Sequence, residues 1–329
     1  MRNKTFLGLG LALGLGALAL GSLWLFSGFD PAPSSRREVS QAGLKIKPVA
    51  AAPVLPILVQ GEAGPRALAP APSARQALFP SNLSYDARLR AIHALGTQIS
   101  PAERTLLLDY LRESFPQDGL NPEQRNGLKN DILNVLRAQE PAVQELTRTL
   151  VDLYQDSNQT LIMRDYALQH LSEYRDKAAT LNQAAEIDRA LWRASRETTQ
   201  TYAGTALLAL ARQAEQSEIR NQSALGGSEI SQVGRAALEL ASDESAPLAS
   251  RITALSVAGR MGEKDVLPLA LTYARDSQQM ALQRSALATL ALLEGQGNKI
   301  SPADKETLRL ALRGSELLQQ PNIRNLLLN

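Results

Sequence analysis

The 329-residue chain has no cysteine, two histidines and only 14 aromatic residues, and each scarcity removes a class of chemistry. Without cysteine there is no disulfide framework, no thiolate-held metal and no thiol nucleophile. His93 and His170 fall on separate segments, and each reads as a packing or surface residue rather than a ligand or a general base. Glycine-rich phosphate loops, a Gly-x-Ser-x-Gly nucleophile turn and a His-Glu-x-x-His zinc helix are all missing. Strand formers are few as well: residues 81–329 hold 16 Val and Ile together, while Leu and Ala fill the apolar positions, which favours helix over sheet.

What is present divides into three segments. Arg2 and Lys4 precede an uncharged run from Thr5 to Phe29 that ends near Trp24, Leu25 and Phe26. As a helix this run spans roughly 37 Å, enough for a hydrocarbon core of about 30 Å. The leading charges place the amino terminus in the cytoplasm, with Trp24 at the far interface. The expectation is a signal anchor over residues 1–30, crossing the membrane once through residues 5–29. A cleaved secretory signal is the alternative, because Ala17-Leu18-Ala19 has the small-x-small form. Either way the rest of the chain is exported. Gly10 and Gly14 have the spacing of a helix-packing face, in a segment so rich in glycine that the match carries little.

Residues 31–80 contain nine of the 17 prolines. Proline removes backbone donors and favours extended geometry, so the segment reads as a disordered Pro/Ala-rich tether. Its apolar stretch Val54–Val59 admits docking as a strand, against the default of an exposed linker.

From residue 81 onward apolar residues recur at three- and four-residue spacing between short polar turns, the signature of amphipathic helices. About thirteen helices are expected and no sheet: a leading helix over 84–97, then six pairs over 101–138, 141–175, 180–216, 228–261, 263–294 and 302–328, the last capping the array from Ser315. The phrases Ile99-Ser100-Pro101-Ala102-Glu103 and Ile300-Ser301-Pro302-Ala303-Asp304 are helix starts, with serine at the cap, proline in the first turn and an acid at the third position.

The pairs resemble one another. Asp156 precedes Arg164-Asp-Tyr-Ala167-Leu168, Asp243 precedes Arg251-Ile-Thr-Ala254-Leu255 and Asp276 precedes Arg284-Ser-Ala286-Leu287, each by eight residues. Weaker copies begin at Arg88 and Lys129. Such recurrence reads as turn capping and a hydrogen-bond ladder between repeats rather than a charged catalytic site. With Pro268 early in the first helix, Asp276 in the turn and Arg284 entering the second, the stretch Val266–Leu290 resembles the HEAT and armadillo-like α-solenoids. That resemblance implies an all-α solenoid over residues 81–329 that works as a binding surface.

Tyr154, Tyr166, Tyr174, Trp192, Tyr202 and Tyr273 are expected to fill the core rather than to form an exposed anchor cluster. The Ser217–Ser228 break with Gly226-Gly227 reads as a solvated connector. The formal net charge of +2 resolves into +1 for residues 1–30, +4 for 31–80 and −3 for 81–329. A mildly acidic array argues against nucleic acid, while Arg36, Arg37, Lys45 and Lys47 let the tether touch an anionic surface.

The sequence therefore predicts a membrane-tethered extracytoplasmic scaffold, in the inner membrane with its helical domain in the periplasm, or secreted if the signal is cleaved. Its partner is another protein or an envelope component. No catalytic, metal or cofactor residue is assigned and no small-molecule substrate is expected. The alternatives are a HEAT-like enzyme of lyase or glycosylase type, which needs a deep pocket joining His170 to converging acids, and a purely mechanical envelope spacer.

Overall fold

The computed structural model describes residues 74, 78, 83–114, 116, 118–219 and 226–328. The expected membrane segment, nearly all of the tether and the 220–225 connector lie outside these residues. Among those described, no helix is long and apolar enough to cross a membrane.

Thirteen α-helices and one 3-10 turn follow one another without a strand among the described residues. Helix α1 (Tyr85–His93) leads. The pairs are α2 (Pro101–Arg112) with α3 (Pro122–Ala138), α4 (Leu146–Gln155) with α5 (Leu161–Thr180), and α6 (Ala184–Ser195) with α7 (Tyr202–Ile219). Next come α8 (Gly226–Ser242) with α9 (Leu248–Arg260), and α10 (Val266–Arg275) with α11 (Met280–Gly295). Last are α12 (Pro302–Ala311), the 3-10 turn Glu316–Gln319 and α13 (Pro321–Leu328). The all-helical expectation is met among the described residues; the closing segment expected as one helix from Ser315 is instead a 3-10 turn followed by α13.

The helix starts follow from the caps. Ser100 accepts from the Glu103 N–H while Glu103 reaches back to the Ser100 N–H, a reciprocal box that satisfies two orphan donors. Ser301 accepts from the Asp304 N–H and donates its hydroxyl to the Asp304 carboxylate. Asn121 and Gln124 form a second box.

Each helix packs mainly on its neighbours one or two places along the chain. The second helices of successive pairs form a continuous row, α3 on α5 on α7 on α9 on α11. Hydrogen bonds between their amino-terminal ends fix them side by side with starts on one edge. Thr160 Oγ1 donates to Asn126 Oδ1 at 3.0 Å. Arg164 Nη2 donates to Tyr202 Oη at 2.7 Å. Ser250 Oγ donates to the Thr201 carbonyl at 2.8 Å, and Ser285 Oγ to the Ile252 carbonyl at 3.2 Å.

Alanine and glycine let this row pack closely. A Cβ at Gly259 would lie 2.7 Å from Thr289 Cγ2, and one at Gly204 would lie 3.0 Å from Ser250 Cα, so both seams are closed to larger residues. Leucines such as Leu133, Leu168, Leu207, Leu255 and Leu287 fill the layer between rows at 0% exposure, each contributing roughly 1.5–3 kcal/mol of burial. Ala74 and Leu78, four apart and helical, are also buried, and Ala74 donates its N–H to Glu103 Oε1. Core residues thus lie inside the end of the segment read as tether.

Candidate functional site: a buried ladder and the edge above it

A helix leaves its last carbonyls without intrahelical donors and carries partial negative charge there. In this array a side chain from the second helix of a pair repeatedly reaches back to the end of the first. Lys129 of α3 donates to the Leu111 carbonyl at 2.9 Å and to the Glu113 carbonyl at 2.6 Å. Arg164 of α5 donates through Nε to the Tyr154 carbonyl at 2.7 Å, and Arg251 of α9 reaches the Ala241 carbonyl. Gln283 of α11 does the same to Ala274 at 3.1 Å. Ahead of them Arg88 of α1 donates to the Asp118 carbonyl at 2.8 Å. Lys129 and Arg88 are each 1% exposed.

The same groups also bond forward, pair to pair. Lys129 Nζ donates to Gln159 Oε1 at 3.1 Å. The Arg164 guanidinium lies 4.8 Å from the centre of the Tyr202 ring and bonds its hydroxyl. Arg251 bonds the Tyr273 hydroxyl at 2.9 Å, and that hydroxyl donates to the Ala241 carbonyl. Around Arg164 the ladder thickens: Tyr154 and Tyr202 both donate to the Glu197 carboxylate, and their rings meet edge to face at 5.8 Å. A buried charge is tolerated when its hydrogen bonds are made, and Lys129 makes three.

The sequence reading of a turn-capping ladder is realised with one change of residue. Asp156, Asp243 and Asp276 each fold onto the backbone two residues on, accepting from the N–H groups of Asn158, Ser245 and Gln278 at 2.8–2.9 Å. Arg164 and Arg251 turn inward to carbonyls and tyrosines. Arg284, by contrast, is exposed, and its neighbour Gln283 takes the inward place. The turn before α11 is one residue shorter, so the inward-facing position moves back by one.

Burial pushes the Lys129 ammonium down to about 8, helped by the nearby Arg125 and opposed by Glu113 and Asp156. At neutral pH it is still charged. Burial works to raise the Asp156 carboxyl, but the Asn158 N–H, Ser114 and Gln159 together hold it below the usual range. Hydrogen bonds from Ser245 hold Asp243 low. Asp156 and Asp243 are therefore ionised at neutral pH.

The histidines do not converge. His93 is exposed at 3.3 Å from Asp131, whereas His170 is 5% exposed and bonded to Asn130 at 3.0 Å. Burial, with Arg137 adding to it, lowers His170 to about 3, so the imidazole is neutral. Tyr154, Tyr174 and Tyr202 are fully buried, and Tyr166 and Trp192 pack half-buried on the core. Among the described residues no three His, Asp or Glu side chains group as a metal site requires.

Two surface features remain. A cleft of about 600 Å³ at the end of the array is lined by Glu294, Lys299, Ser301, Lys305, Arg309 and Leu328 among others. Lys305 is spent on Glu294 at 2.5 Å, and Arg309 on Glu306 and the Leu327 carbonyl. The other feature is the edge where the second helices begin. Leu161, Ile162, Leu248 and Met280 stand 42–59% exposed there. Sequence reasoning passed over them, because an apolar residue at the first turn of a helix looks like any other core position until the neighbouring helix is in place.

No known protein family, curated protein or solved structure matches the chain.

Proposed function

We propose that this protein is a membrane-tethered, extracytoplasmic scaffold whose helical array is a HEAT-like α-solenoid, and that it acts by holding another protein. One observation carries the reading. Four large apolar side chains, Leu161, Ile162, Leu248 and Met280, are exposed along the single edge on which the row of second helices begins. Isolated exposed leucines need no explanation, but an aligned set does. Beneath that edge the buried polar groups are engaged in binding helix to helix, which favours a rigid surface over a reacting site. The enzyme alternative asks for a pocket around His170. That imidazole is instead buried on Asn130, and the cleft at the end of the array is lined by other residues.

The solenoid assignment is supported by packing that runs mainly between near neighbours in order and by a ladder that recurs in register. The tethered, exported position is supported by the sequence pattern of residues 1–80. Crosslinking in intact cells, followed by isolation of the protein from membranes, tests the reading. A stoichiometric partner protein is expected, and repeated isolation with none would refute it.

A further inference from the structure

We infer that the edge at the start of the second helices is a docking strip for a partner-protein segment in which apolar side chains alternate with lysine or arginine. This rests on the scaffold reading above and gives that surface a partner chemistry. Helices α5, α9 and α11 each open on an exposed apolar residue, Leu161, Leu248 and Met280. Each stands three residues before the side chain that enters the ladder, Arg164, Arg251 or Gln283. One register thus places all three on the same edge. The first helical position asks for nothing apolar, since proline and polar residues serve there, and the core below is already closed. Helix α7 lies between α5 and α9 and opens on Tyr202, which turns under the ladder; its edge shows Thr199 and Thr201 instead. The strip therefore has two apolar blocks separated by a polar step.

Spacing and charge define what fits. Helices packed side by side are about 9 Å apart, which puts Leu248 roughly 18 Å from Leu161 and Met280 roughly 9 Å further. A segment of about eight extended residues, or about five helical turns, spans that length. The three turns beneath the anchors, residues 156–160, 243–247 and 276–279, contain Asp156, Asp243, Glu244 and Asp276 and no Lys or Arg. Asp156 and Asp243 are held ionised by their turns. Of the nearby cations, Arg275 is spent on Asp304 at 2.6 Å, Arg284 lies a turn inside α11, and exposed Arg196, in the turn before α7, sets one positive charge against those four acids. A negative strip with apolar anchors repels an anionic bilayer surface and attracts a cationic apolar segment.

Photo-crosslinking residues placed singly at Leu161, Leu248 and Met280 of the full chain, in intact cells, test this. Thr180, exposed at the far end of α5, and Lys264, exposed in the turn that follows α9, serve as controls. All three edge positions are expected to crosslink one protein within one segment that carries both apolar and basic residues. Adding Ser157→Lys, Glu244→Lys and Ser277→Lys, all at exposed turn positions, is expected to cut the yield roughly tenfold. Adducts to lipid, or to an acidic or uncharged segment, overturn the partner chemistry. Protein adducts from the control positions alone overturn the edge but leave the scaffold reading standing. No protein adduct from any position overturns both.

Discussion

Replacing Lys129 by methionine keeps the bulk of the side chain and removes its three hydrogen bonds and its charge. At pH 7 the two consequences oppose each other. Leaving the Leu111 carbonyl and Gln159 Oε1 without their donor costs about 1–3 kcal/mol each. Removing a buried ammonium returns about 3 kcal/mol, the worth of a fall from 10.5 to about 8. The variant is thus expected to lose only about 1 kcal/mol at pH 7. Between pH 8 and 10.5 an unfolded lysine still holds a proton that folded Lys129 has released, so wild-type stability rises with pH through that window. The variant lacks that gain, and its deficit should widen to about 4 kcal/mol by pH 10.5. Urea unfolding of both proteins from pH 7 to 10.5, followed by circular dichroism, reads the difference directly, and titrations common to both cancel. A deficit that stays flat or shrinks as pH rises would refute the burial and bonding assigned to Lys129.

The other predictions follow from the same packing. Arg164→Met leaves the Tyr154 carbonyl without its donor and removes the bond to the Tyr202 hydroxyl, and should cost about 1–3 kcal/mol, whereas Arg284→Met, on an exposed side chain, should stay within about 0.5 kcal/mol; paired urea titrations compare them. Gly259→Leu drives a side chain into Thr289 and should destabilise by about 1–3 kcal/mol or more, seen as a lower thermal midpoint. His170 is held neutral down to about 3, so below about 6.5 the unfolded chain takes up a proton that the folded chain refuses. Stability should fall with pH between those values, and His170→Gln should flatten that acid limb in the same titration.

Much of the fold was legible because the local and global signals agree. Ser100-Pro101 and Ser301-Pro302 announce helix starts that the caps confirm atom by atom, and leucine and alanine at helical spacing mark both layers. The ladder was legible at Arg164 and Arg251, where the turn length repeats. It was misread at Arg284, because one residue fewer in a turn rotates the following helix by about 100° and brings Gln283 inward. Near the tether boundary Ala74 and Leu78 are buried although they sit among prolines, and composition does not register the bond by which Glu103 of α2 holds the Ala74 N–H. The apolar edge was invisible to periodicity, since Leu161, Leu248 and Met280 match a buried pattern and only the neighbouring helices leave them uncovered.

The chain has no cysteine, so single cysteines can report its placement against a silent background. With Asn3→Cys and Lys264→Cys made separately, a membrane-impermeant maleimide applied to cells with a permeabilised outer membrane tests the exported, tethered array most directly, because Lys264 is exposed and lies away from the docking edge. The Lys264→Cys protein should label before lysis and the Asn3→Cys protein only after it, with both in the membrane fraction. Labelling at position 3 with protection at position 264, or recovery of the array in the cytosol, would contradict the account.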